Sequence, residues 1–172
     1  MTEAFRRIDR VIMWAMGLVV IVTNLAVTAL ILFLVLARFV LGWSVVGILD
    51  LATLSAMWLY MCGAVIAARN REHLVVDYLS QSLKAPRVKA LHNLAVSLIM
   101  VVLSVFFVDL ARDMVDWSIA RPQTTAELSL PLLIPQSALV LAAGLFAIYA
   151  LRDLVIAARS LSAAKADGIG EA

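Results

Sequence analysis

Gly63-Ala64-Val65-Ile66-Ala67-Ala68-Arg69-Asn70-Arg71-Glu72-His73-Leu74-Val75-Val76-Asp77 decides how this chain is built. An apolar run ends there in a charged collar, and a short two-faced segment follows at once. Read backwards, the run is Leu51–Ala68, close to the ~20 residues that cross a bilayer as a helix. Along it Ala52, Ala56, Gly63, Ala64 and Ala67 recur at spacings of three, four and seven, a strip of small side chains on one face. In lipid such strips let helices approach closely, because dispersion contacts replace the missing hydrophobic drive. Trp58 and Tyr60 lie inside the run rather than at its edge, which places them against protein.

Read forwards from the collar, Leu74, Val75, Tyr78, Leu79 and Leu83 share one helical face, and Asp77, Gln81 and Lys84 share another. This pattern predicts an amphipathic helix lying in the interface over about 73–84, with a plain connecting helix as the alternative. Pro86 breaks it. A third span, Leu91–Leu110, follows. Asp109–Arg121 holds no helix breaker before Pro122, so the helix is expected to run on past the membrane. Its charges, with Arg112 and Asp116 four apart, read as a solvated face. Pro122, Pro131 and Pro135 bracket a polar loop with Thr124, Thr125 and Glu127. The fourth span covers Leu132–Leu151, with Pro135 in its first turn, where proline is tolerated. The tail 163–172 is expected to fray.

Ahead of the opening stretch, Val11–Ala37 is a continuous apolar run of 27 residues, too long for the 7–15-residue core of a cleaved signal. A retained first span is therefore expected. Asn24, the one amide in it, faces another helix or is merely tolerated. Arg38 and Trp43 mark the membrane interface, and Gly42 and Gly47 let the chain turn. Asp50 opens the second span, where the helix dipole favours a carboxylate. Two readings of Asp50 stand open, a helix cap and an inter-subunit contact.

Composition agrees. Of 172 residues, 64% are hydrophobic and 15% charged, with a mean hydropathy of +1.01. A soluble domain is about 45–50% apolar and about 25% charged. The expected class is an all-α membrane protein, one domain over 1–172 with four transmembrane helices at about 11–37, 51–68, 91–110 and 132–151. The net charge of +2 does not point to nucleic acid, because the charges sit at span ends and in loops. Eleven of the fourteen Lys and Arg residues fall on the side of the two termini and the middle loop. The positive-inside rule then puts both termini in the cytoplasm. Cys62, alone and inside an apolar run, reads as a packing residue.

No motif carries chemistry of its own. The phosphate-binding glycine loop, the paired cysteines and the H-E-x-x-H helix are absent. The acidic groups stand only at span ends, whereas a proton-coupled carrier places one at mid-span. These features argue against an enzyme, a bound metal or cofactor, and a self-contained exporter. His73 and His92 keep one alternative open, a four-helix membrane subunit of a redox complex.

Taken in order, several features resemble one family. They are Arg38-Phe39-Val40-Leu41-Gly42-Trp43-Ser44, then Asp50, then Trp58…Gly63-Ala64…Arg69…Glu72-His73-Leu74…Asp77, and finally Leu128-Ser129-Leu130-Pro131…Ile134-Pro135. The chain resembles, over nearly its whole length, the DctQ-like small membrane subunit of tripartite ATP-independent periplasmic (TRAP) transporters. Asp50 departs from the glutamate more usual there, and the loop at Pro122 is individual. The resemblance implies a non-catalytic subunit of a sodium-coupled carrier of organic acids in the bacterial inner membrane. Its partners would be a large elevator-type permease, a transiently docking periplasmic binding protein and membrane lipids. Within it, Ala52, Ala56, Trp58, Gly63, Ala64 and Ala67 become candidates for packing on the permease. Arg38, Trp43, Asp50, Arg69, His73, Asp77, Pro131 and Pro135 carry the resemblance.

Overall fold

The computed structural model describes residues 3–70 and 86–167, and every regular element among them is a helix. These are α1 (Glu3–Phe39), α2 (Ile48–Asn70), α3 (Pro86–Ala120) and α4 (Leu133–Asp167). Each holds a stretch long and apolar enough to cross a bilayer. The chain is an all-α membrane protein. The segment expected to form the interfacial helix, with His73 and Asp77, lies outside the described residues.

The helices are longer than the apolar runs. At about 1.5 Å per residue, the 35 residues of α3 reach about 52 Å, well beyond a hydrocarbon core of about 30 Å. Leu-, Ala- and Met-rich sequence continues the helix after hydrophobicity fades. Only Pro122, just past Ala120, removes the hydrogen-bond donor needed to go on.

The chain divides into two compact units. The first holds α1, α2 to Ile66, the end of α3 from Ala111, the 121–132 loop and the start of α4 to Ala142. Its interior is mostly small groups: Ala37, Ala52, Cys62, Ala111, Ser118, Ala138 and Ala142 are buried, alongside Met16, Ile48 and Val65. Small side chains let backbones approach, which is how helices gain contact in lipid.

The second unit holds the end of α2 from Ala67, α3 to Leu110 and α4 from Ala143. Phe107 and Phe146 meet with ring centroids 5.8 Å apart, tilted by 54°, within the favourable range for aromatic pairs. Tyr149 is buried, and the Arg152 guanidinium lies 5.0 Å from its ring centroid. Arg152 also pairs with Asp153 at 2.9 Å and donates from Nη2 to the Arg69 carbonyl at 3.1 Å. A cation thereby satisfies a carbonyl in the last turn of α2, where the helix dipole is negative.

Candidate functional site

Between α1 and α2 the chain turns on two glycines. Past Phe39 the helix loosens: Leu41 N–H reaches the Leu36 carbonyl at 3.2 Å, and Trp43 N–H the Ala37 carbonyl at 2.9 Å. Gly42 then takes φ 66° and Gly47 φ 86°, left-handed values that side chains with a Cβ disfavour. A Cβ on Gly47 would also lie 2.5 Å from Leu128 Cδ2.

That proximity comes from a lock between this turn and the 121–132 loop. Asp50 Oδ2 accepts the backbone N–H of Glu127 at 3.1 Å and of Leu128 at 3.0 Å. Within the same loop Thr125 Oγ1 accepts the N–H of Leu130 at 3.1 Å. In return Glu127 Oε2 accepts the N–H of Gly47, just ahead of α2. Each segment thus supplies a carboxylate to the other's free N–H groups. Asp50 stands in the first turn of its helix, yet its carboxylate holds a turn 77 residues away rather than capping α2. The work of an N-cap falls to Glu127, which meets one of the orphan donors that every helix start leaves open.

The loop itself folds back as a short antiparallel pair. Thr125 N–H donates to the Leu130 carbonyl at 2.9 Å and Leu132 N–H to the Gln123 carbonyl at 3.0 Å. Thr124 and Pro131 face each other between those two bonds, so the N–H that proline lacks is not needed there. Pro135 stands in the first turn of α4, among residues whose N–H groups have no helical partner anyway.

The small-residue strip of α2 splits by burial. Ala52 is buried inside the chain together with Cys62, Val65 and Ala68. Trp58, seven residues before Val65, falls on that same side and is half-buried. Ala56, Gly63 and Ala67 fall at spacings of four, three and four around Tyr60, which is 68% exposed. Ala56, Gly63, Ala64 and Ala67 are half-buried, and a Cβ added to Gly63 would meet nothing within 4 Å. The chain's own packing therefore does not demand a glycine at 63.

Among the remaining candidates, Arg38 and Trp43 are exposed at the end of α1 and beyond it. Arg69 engages Arg152 through its carbonyl. His92 on α3 is half-buried, and its buried Nδ1 has no hydrogen-bond partner among the described residues. Among the described residues no three of His, Cys, Asp and Glu gather where they could hold a metal ion. Glu127 escapes a reading of the sequence as a site residue, since nothing local ties it to Asp50.

No curated protein matches the chain closely enough in sequence to count as a relative. A sequence profile of the DctQ component of tripartite ATP-independent periplasmic transporters, however, matches residues 27–160. That interval spans the end of α1, the interlocked turns and most of α4, more than three quarters of the chain. With four membrane-length helices and a match of that extent, the chain belongs to the DctQ family, the small membrane subunits of TRAP transporters.

Proposed function

We propose that this subunit is a non-catalytic scaffold for the large permease of a sodium-coupled TRAP transporter for organic acids. The family match over residues 27–160 carries this reading. An elevator-type permease carries solute by moving one part past a stationary part, and the stationary part gains from a wider anchor in the membrane. The half-buried small face of α2, with Ala56, Gly63 and Ala67 beside Tyr60, suits close packing on a permease helix. The interlocked turns carrying Asp50 and Glu127 support a second role, a firm surface at which the periplasmic binding protein docks. With eleven of fourteen basic residues on one side, the subunit sits in the inner membrane with both termini in the cytoplasm.

Reconstitution in liposomes tests the proposal. Permease, binding protein and this subunit together should take up organic acid in a sodium gradient, and omission of this subunit should abolish or sharply reduce uptake. This subunit alone should move nothing. Solute accumulation by the lone subunit, or full uptake without it, would end the scaffold reading.

A further inference from the structure

Laid on its helical register of about 100° per residue, α1 shows three faces. One meets its own unit: Met16 and Ala37 are buried, with Val19, Thr23, Leu30 and Leu34 half-buried between them. A second consists of Leu18, Val22, Leu25, Leu32 and Leu36, all large, aliphatic and exposed, as a lipid-facing surface should be. The third is Gly17, Ile21, Asn24, Thr28, Ile31 and Val35, at spacings of four, three, four, three and four. That alternation is the seam along which two helices pack side by side. Apart from Thr23, which hydrogen-bonds the carbonyl of Val19 on its own helix, the polar groups in the middle of this span sit on that seam.

None of the described residues covers the seam. Its members are exposed except Gly17, which is half-buried, and a Cβ on Gly17 would meet nothing within 4 Å. Asn24 is the midpoint of the Asp9–Phe39 span, about 22 Å along the helix from either end. At that depth there is no water to hydrogen-bond an amide. The Thr28 hydroxyl lies 3.5 Å from Asn24 Oδ1. The amide N–H groups of Asn24 have no acceptor among the described residues.

The seam also says which helix it does not fit. Arg10 and Arg38 continue it at both ends, in the same seven-residue register as Gly17, Asn24 and Ile31, and both are exposed. A second copy docked in parallel would set Arg10 against Arg10 and Arg38 against Arg38. Like charges so placed select against self-pairing and favour a different helix of opposite charge. We infer that the Gly17–Ile21–Asn24–Thr28 seam of α1 docks on a transmembrane helix of the large permease. That helix offers a hydrogen-bond acceptor at the bilayer midplane and carboxylates near its ends. The inference rests on the permease association proposed above. The choice of the Gly17–Thr28 seam comes from burial and helical register along α1.

The test is co-purification of the full-length chain with its permease in nanodiscs, with the dissociation constant measured by fluorescence titration. Asn24→Leu and Gly17→Leu should each weaken the complex by about tenfold, the scale of one interhelical hydrogen bond or close contact in lipid. Leu25→Ala on the lipid-facing side should leave it unchanged. Thr28→Cys in a Cys62→Ser chain should cross-link to a cysteine-bearing permease helix. Undiminished binding of both seam variants, or a cross-linked product at twice the mass of this chain, overturns the seam assignment while leaving the scaffold reading intact. A wild-type chain that binds no permease removes both.

Discussion

Asp50 and Asn24 are both polar side chains on membrane-length helices, and the chain treats them in opposite ways. Asp50 receives two backbone N–H groups from the 121–132 loop of its own chain. Asn24 lies deep in the span with no acceptor among the described residues for its N–H groups. A polar group answered within the chain builds the fold. One left unanswered in hydrocarbon, where desolvation is costly, marks the place of a neighbour. Substitutions at the first kind of site should therefore register in the isolated subunit. Those at the second should register only when the partner is present.

Gly47→Val should cause the largest loss in the isolated subunit. A branched side chain at φ 86° is strained whatever room it has, and such strain costs about 1–3 kcal/mol. Crowding adds to the strain, because Leu128 Cγ would lie 2.6 Å from the new Cβ and its side chain must turn away. Gly47→Asn, which tolerates left-handed backbone better, should lose less. Thermal unfolding in detergent ranks the two. Equal losses would mean that contact with Leu128, not backbone strain, dominates.

Asp50→Ala comes next. It strands the N–H groups of Glu127 and Leu128, although their exposure lets water replace part of the bonding. Asp50→Asn keeps an oxygen where both N–H groups donate, and should recover most of the lost melting temperature. If Asn is no better than Ala, the negative charge rather than the acceptor geometry holds the turn.

Arg152→Ala tests the second unit in the same way. It removes a bond to the Arg69 carbonyl, the pair with Asp153 and the contact with Tyr149. A loss of about 1–2 kcal/mol is expected. Lysine should not rescue it, lacking the planar fork that reaches several partners at once.

Much of this architecture was legible beforehand, for identifiable reasons. Hydrophobic runs longer than about 18 residues announce spans without any tertiary information, and Gly42 and Gly47 stand where a chain between two spans must reverse. The Asp50–Glu127 exchange was not legible, because 77 residues separate its partners and no periodic signal links a helix start to a remote loop. Arg152 reads in sequence as a topology-setting charge just beyond a span. In the fold it lies well inside α4, which continues to Asp167, and it serves the end of another helix. Hydropathy locates the bilayer, not the end of the helix. The α2 strip looked like a single face, yet Ala52 turns inward while Gly63 retains open space. Spacing alone does not say which side of a helix its own chain will cover.

The smallest expected effect is the one that separates the two kinds of site most cleanly. In the isolated subunit, Asn24→Leu removes a side chain whose one hydrogen bond among the described residues is from Thr28, at 3.5 Å. An exposed position of that sort should shift stability by no more than about 0.5 kcal/mol. The sign should favour leucine, which is more at home in lipid. The same substitution should weaken the permease complex, so one variant read twice gives opposite answers, silent alone and damaging in company. Should Asn24→Leu instead unfold the isolated subunit, Asn24 belongs with Asp50 among the groups that build the fold, and the exposed seam of α1 loses its argument for a neighbour.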